Sequence, residues 1–507
     1  MEQIETQPST LTKVRSRTGC PGLDDVLGGG FPRGHFYLLE GEPGTGKTTL
    51  ALQFICEGLR NGETVLYITL SESPDDLRDV AQSHGIQLEG AHFVDLKPSE
   101  EDLKPDGQYT VFHPSEIELG DRLQSIVREV ERFKPDRLVI DALSELRMLA
   151  KDPLRYRRQI ISLRGFTPPD CTVLLLDDRS SRHSDIELHS IVHGVVMLEK
   201  VHREYGKTRR RAEVSKLRGC AFREGYHDYI LQTGGMLMFP RLVASEHVVP
   251  VNFGEPAGSG ILELDALVGG GLDRGTSTLL IGPAGCGKST IAMRWLASAA
   301  EKGETGTAFI FEETLSTLVE RAKGLGIDVG KHIKSGRIKM DHLDPAEMSP
   351  GEFIDRVRTA VDVDNARVIV IDSLNGFLQA MPGEQYLALH LHELLTYLNH
   401  KGVVTLLVLA QAGVVGATVQ TPADVSYLAD NIVVLRYFEA QGEVKQAISM
   451  IKKRSGSHEH TIRELRLGPD TIRVGQPLTN FHGVLSGIPV LLGHGNGHEG
   501  KGLRVDD

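Results

Sequence analysis

The pattern G-x-x-x-x-G-K-[ST] occurs twice in this 507-residue sequence: at 41–48 through Gly41, Gly44, Gly46, Lys47 and Thr48, and at 282–289 through Gly282, Gly285, Gly287, Lys288 and Ser289. Average residue usage gives roughly 0.02 such matches by chance in a chain of this length, so an ordinary glycine-rich turn is a poor reading. Each pattern follows a β-rich run and opens a helical one, the setting in which backbone N–H groups and a helix N-terminus meet phosphate oxygens. In that setting Lys47 and Lys288 reach the β- and γ-phosphates of a nucleotide, and Thr48 and Ser289 ligate Mg²⁺. Thr49 and Thr290, the next residues, complete the nucleotide-binding set.

Further carboxylates extend each pattern toward phosphoryl transfer. Asp141 and Asp372 each end a short apolar run, where a carboxylate at the carboxyl edge of a sheet faces the nucleotide crevice and holds Mg²⁺ through water. The strand between loop and aspartate ends in Phe311, Glu312, Glu313 and Thr314 in the second half, and in Leu70, Ser71, Glu72 and Ser73 in the first. Neighbouring strand side chains point to opposite faces, so one of Glu312 and Glu313 turns toward the γ-phosphate as proton acceptor. Ser71 stands in the register of Glu312, and Glu72 in that of Glu313. If the base is Glu312, the first half lacks it. The plainer alternative is a glutamate pair that opens the next helix with favourable N-terminal charge.

These motifs sit in a duplicated domain. Residues 19–72 reappear at 260–313 with a constant offset of 241 and no gap, including Gly28, Gly29 and Gly30 against Gly269, Gly270 and Gly271. Beyond that the offset falls to 231 between Asp141 and Asp372, which assigns insertions and deletions to surface loops. Pro240, Pro250 and Pro256 break regular structure between the copies, and the expected domains are 1–246 and 247–507. Near-continuous apolar runs at 35–40, 64–69 and 137–141, then at 278–281, 307–311, 367–372 and 404–410, alternate with helical patterns. That alternation predicts an α/β fold, each half a three-layer domain with a mostly parallel sheet and helices on both faces.

Composition narrows the function classes. With 40% apolar and 24% charged residues the chain is globular in type. A net charge of −12, from 56 basic against 68 acidic residues, argues against generic affinity for nucleic acid. Five cysteines lie far apart with no C-x-x-C pair, which predicts reduced thiols rather than a zinc site or a disulfide framework. Residues 1–12 are polar, and no apolar run approaches the ~18 residues of a membrane helix, so a soluble cytoplasmic protein is expected. Basic clusters at Lys207, Arg209, Arg210 and Arg211, then Lys216 and Arg218, and at Lys452, Lys453 and Arg454, read on their own as solvated faces.

Together these residues resemble the KaiC family of double-domain RecA-like ATPases, over 17–489. The resemblance rests on the triple-glycine lead-ins, both phosphate loops, Phe311 to Thr314, the neighbourhood of Asp372, Lys216 to Gly219, and the closing Glu464, Asn480, Phe481, Ser486 and Gly487. It implies two tandem RecA-like P-loop NTPase domains in a double-ring homohexamer with ATP at the subunit interfaces. By the same resemblance Lys216 and Arg218 in one ring, and Lys452 and Arg454 in the other, reach a neighbour's γ-phosphate. The family's second ring also phosphorylates an adjacent Ser–Thr pair. Ser426 matches that serine, Tyr427 replaces the threonine, and Thr421 matches a further threonine upstream. After Pro489 this chain has a short glycine-rich end with His494 and His498 where the family carries a longer partner-docking tail, so clock partners and circadian timing are not carried over.

Three functions follow as expectations: an ATP-hydrolysing serine/threonine autokinase acting as a signalling or clock-like hexamer; a nucleotide-gated scaffold for a signalling-protein partner, without kinase chemistry; and, least favoured by the acidic balance, a RecA-type DNA-handling motor.

Overall fold

The computed structural model describes residues 14–97, 114–150, 152–179, 186–202, 206–248, 254–379, 386–411, 426–469, 471–485 and 490–491. The chain divides into two compact units, Met1–Arg241 and Leu242–Asp507. The division falls a few residues ahead of the expected 246/247 boundary because the segment after Arg241 packs into the second unit. Leu242 and Ala244 join that unit's core, the Ala244 N–H donates to Glu393 Oε2 at 2.9 Å, and the Ala244 carbonyl accepts from His400 Nδ1 at 3.2 Å.

In the first unit the sheet strands are β1 (Phe36–Gly41), β2 (Val65–Thr69), β3 (His92–Asp95), β4 (Arg137–Asp141), β5 (Thr172–Asp178), β6 (Gly194–Val201), β7 (Arg209–Leu217), β8 (Tyr226–Gln232) and β9 (Gly235–Phe239). They lie in the order β9-β8-β7-β6-β1-β5-β4-β2-β3. Strands β6 to β3 in that order pair in parallel, and β7 to β9 extend the sheet antiparallel.

The second unit repeats this with β10 (Ser277–Gly282), β11 (Thr305–Ile310), β12 (Ile338–His342), β13 (Ala366–Asp372), β14 (Val404–Ala410), β15 (Asn431–Ala440), β16 (Glu443–Lys453), β17 (Arg463–Gly468) and β18 (Thr471–Pro477), ordered β12-β11-β13-β14-β10-β15-β16-β17-β18. The expected α/β class therefore holds in both halves. Central strands are apolar along their length because both faces are covered: Leu38 packs with Ile68, Ile140 and Leu175 on one face of the first sheet, and Leu39 with Phe54, Val139 and Leu174 on the other.

One expectation about local geometry changes. Strand β11 stops at Ile310, so Glu312 and Glu313 lie in a bend beyond its end, as Ser71 and Glu72 do beyond β2. The two-residue alternation of a strand does not govern them; the turn does.

A buried histidine ties the antiparallel extension of the first unit together. His227 is 1% exposed; its Nε2 faces the Arg223 carbonyl at 3.0 Å, and its Nδ1 accepts the Arg241 N–H at 2.9 Å. The bonds fix a neutral ring, and burial pushes its pKa from 6.5 down to about 4. Between those values the unfolded chain binds a proton that the folded chain refuses, so stability falls as pH falls from about 6.5 toward about 4, by about 3 kcal/mol in total. Urea denaturation across that window should show a steeper loss in the native chain than in His227→Gln, by close to one proton.

Candidate functional site

Each phosphate loop connects the carboxyl end of a central strand to a helix: β1 to Lys47–Arg60 and β10 to Lys288–Glu301. Gly46 and Gly287 precede those helices with φ of 96° and 101°, in the left-handed region that an L side chain enters only with strain. Gly41 and Gly282 are needed for space: a Cβ there would meet the Leu198 and Leu435 carbonyl oxygens at 2.7 and 2.3 Å. Gly44 and Gly285 complete the turns, and Thr49 and Thr290 are buried in the first helical turn behind them.

The loop lysines fold back over their own loops. Lys47 Nζ donates to the Gly41 and Glu42 carbonyls at 2.8 and 3.2 Å and lies 2.7 Å from Asp178 Oδ1. Lys288 Nζ donates to the Pro283 carbonyl at 2.7 Å and stands 4.0 Å from Cys286 Sγ. Burial lowers the Lys288 pKa.

Asp141 ends β4 and Asp372 ends β13, each beside its loop hydroxyl. Thr48 Oγ1 donates to Asp141 Oδ2 at 3.3 Å, and the Ser289 hydroxyl bonds Asp372. Both carboxylates are nearly buried, at 6% and 8% exposure, and that burial, above all else, raises their pKa values. A divalent cation would offset the cost of holding them ionised, and a hydroxyl with a carboxylate is the hard-oxygen set that suits Mg²⁺. Among the described residues no cluster of three or more His, Cys, Asp or Glu could hold a metal, so an ion here needs phosphate and water to complete its shell. In the first site the buried Tyr67 hydroxyl also donates to Asp141 Oδ2, at 2.6 Å, where the second unit has Ala308.

The two glutamates separate. Ser373 Oγ donates to Glu312 Oε1 at 2.5 Å, and the Glu312 charge acts on both Lys288 and Asp372. Glu313 turns away to pair with Arg321 at 2.8 Å. In the first unit Ser71 and Ala142 occupy the places of Glu312 and Ser373, so carboxylate and supporting hydroxyl are missing together. Glu72 keeps its backbone bonded to Thr69 Oγ1, and its pKa is raised by burial and then by Asp141.

The remaining candidates sit at the other edge of each sheet. Antiparallel pairing sets Lys216 against Val195 at the start of β6, and Gly194 of that strand pairs with Tyr37, whereas Leu198 pairs with Gly41 at the loop edge. Lys216 Nζ donates to the His189 and Val192 carbonyls, and Arg218 Nη2 to the Ser190 carbonyl at 2.7 Å. The second unit repeats the motif: Lys452 Nζ donates to the Ser426 and Ala429 carbonyls at 3.3 and 2.8 Å, and Arg454 pairs with Asp430 at 2.9 Å. Tyr427 is 58% exposed beside Ser426; Thr421 lies outside the described residues. The run 209–211 is no free cationic patch: Arg209 is buried, and Arg211 bonds Glu199 at 2.9 Å with its guanidinium 4.0 Å from the Tyr226 ring centroid.

Sequence reasoning gave no role to Ser373, Asn375 or Asp178. Asp178 carried a usable signal, since it too ends an apolar run, as Asp141 does; the role of Ser373 depends on a contact 61 residues away.

A family model described as "ATPase: KaiC" matches residues 16–243 and again 257–479. Similar proteins include the circadian clock protein KaiC3 of Synechocystis sp., 25% identical over 96% of this chain and 96% of its own. The circadian clock oscillator protein KaiC of Rippkaea orientalis is 25% identical over 96% and 93%, and that of Synechococcus elongatus 26% over 94% and 92%.

Two independent loops lead to one expectation. Lys47→Ala and Lys288→Ala should each remove one of two ATP equivalents bound per chain, and the double variant both, by equilibrium binding with labelled ATP.

Proposed function

The chain belongs to the KaiC family of ATPases, and from that premise we propose that it is a two-site Mg-ATPase whose second site also phosphorylates Ser426 of a neighbouring copy. The observation that carries the reading is the separation of parts along the second sheet. Lys288, Ser289, Asp372 and Glu312 gather at the carboxyl edge of the parallel strands. Ser426 and Lys452, bonded to each other, lie at the opposite edge, where Asn431 pairs with Thr278. Four residues of strand, about 13 Å, already separate Thr278 from Gly282. Ser426 therefore lies out of reach of its own chain's γ-phosphate, and a ring of copies brings acceptor and nucleotide together. A homohexamer fits this arrangement.

In this reading Lys47 and Lys288 grip the β- and γ-phosphates. Thr48 with Asp141, and Ser289 with Asp372, hold Mg²⁺, which draws charge off the phosphates. Glu312, steadied by Ser373, takes the proton of the attacking water or seryl hydroxyl. Lys216 and Arg218, and Lys452 and Arg454, meet the neighbour's γ-phosphate and stabilise charge as it develops. No helix among the described residues is long and apolar enough to cross a membrane, and a cytoplasmic protein with a signalling-protein partner is the reading adopted. The scaffold alternative is favoured by Tyr427: its phenolic oxygen lies too far from the backbone to substitute for a threonine hydroxyl in an unaltered site.

With Lys47→Ala isolating the second site, Glu312→Gln should lower ATP turnover by about 10²–10⁴-fold while ATP still binds; a loss below tenfold contradicts the assignment. For phosphotransfer, a Ser426→Ala chain with intact ATP sites is mixed with a Lys288→Ala chain that keeps Ser426, and Mg-ATP is added. Phosphopeptide mass spectrometry should find phosphate on Ser426 of the Lys288→Ala chain. ADP release without any phosphopeptide would favour the scaffold.

A further inference from the structure

We propose that Asp178 is the catalytic carboxylate of the first site, the group that accepts the proton of the water attacking the γ-phosphate. The inference rests on the first loop being an ATP site, and it supplies the group that Ser71 does not.

Sheet order gives the first reason. Strand β5 lies between β1, which carries the phosphate loop, and β4, which ends in Asp141. Its carboxyl end thus opens into the gap between the phosphate lysine and the metal-side aspartate. Asp178 is the last residue of β5 and pairs in register with Gly41, the first residue of the loop. Its Oδ1 is 2.7 Å from Lys47 Nζ, and its side chain keeps 37% exposure, so water reaches it. Its charge also acts on Asp141.

The second unit supplies the contrast. The residue in register with Gly282 is Ala410, whose carbonyl and N–H are both gripped by the Asn375 side chain, at 2.9 and 2.7 Å. That unit has its carboxylate on the far side of the metal aspartate, as Glu312 beyond β11. The first unit has lost both Glu312 and its partner Ser373, and has gained a carboxylate on the near side. Before ATP arrives, Asp178 occupies Lys47. Phosphate oxygens take the lysine over, and the released carboxylate stands next to the γ-phosphate. A water oxygen then bonds to the γ-phosphorus as the bond to the β-phosphate oxygen breaks. The water's proton passes to Asp178 and on to solvent, leaving ADP and inorganic phosphate.

The full-length Lys288→Ala chain reports the first site alone, through bound ATP and ADP release. Adding Asp178→Asn should leave ATP bound and cut turnover at least tenfold. Placing a carboxylate in the register of Glu312, by Ser71→Glu in that variant, should restore part of the turnover with a shifted pH profile. Undiminished turnover in Asp178→Asn overturns the proposal. So does loss of ATP binding in that variant, which would make Asp178 a structural or binding group, or a larger loss in Glu72→Gln, which would move the role there. A Lys288→Ala chain that binds ATP without hydrolysing it also overturns the proposal and leaves the ATP site standing; one that binds no ATP instead sinks the two-site reading. A circular dichroism spectrum and thermal midpoint matching those of the Lys288→Ala chain establish that the Asp178→Asn variant folds.

Discussion

Parallel strand pairing is the constraint from which the rest of each unit follows. It sends the carboxyl ends of β1, β5, β4 and β2 to one edge of the first sheet, and those of β10, β14, β13 and β11 to one edge of the second. Phosphate loop, metal-side aspartate and candidate bases are collected there without any of them being neighbours in sequence. The antiparallel return through β7 and β16 has the opposite effect. It delivers Lys216, Arg218, Lys452 and Arg454 to the far edge, beside the residues that precede β6 and β15. A chain built this way carries its phosphate loops at one edge of each sheet and these cations at the other.

Within that common frame the two sites differ in a handful of polar side chains. The second unit combines Glu312 with Ser373 and pins Ala410 through Asn375. The first combines Ser71 with Ala142, sets Asp178 against Lys47, and adds the Tyr67 hydroxyl to Asp141. The exchange of Glu312 and Ser373 for Ser71 and Ala142 removes both halves of an interaction, whereas Asp178 and Tyr67 each add a partner to a group, Lys47 or Asp141, that has its equivalent in the second unit. An unpaired buried hydroxyl or carboxylate is costly, so a change at one strand end is accompanied by a change at its neighbour. Divergence of the two sites therefore reads as reassignment of chemistry on a retained scaffold.

The burial of Asp141 and Asp372 fits the same economy. Desolvation opposes their ionisation, and only a cation or a hydrogen-bond donor makes the charged form tolerable. The loop hydroxyls supply part of this, and the proposed Mg²⁺ would supply more.

The sequence by itself determined what depends on short spacing. The two loops, the duplication, the α/β class and the strand-ending aspartates are legible because glycine geometry, helix initiation and apolar runs act over a few residues. What tertiary structure decided is which side chains meet. Glu312 is distinguished from Glu313 by Ser373 and Arg321, contacts made in a bend where strand alternation no longer applies. Lys216 and Lys452 are shown to belong to the edge away from their own loops, a fact of sheet register that no local pattern carries. Asp178 reaches Lys47 across 131 residues of chain, through strand order. Local chemistry is written in the residues and their spacing; the pairing of groups distant in sequence is a property of the packed sheet, where the cost of burying charge selects its partners.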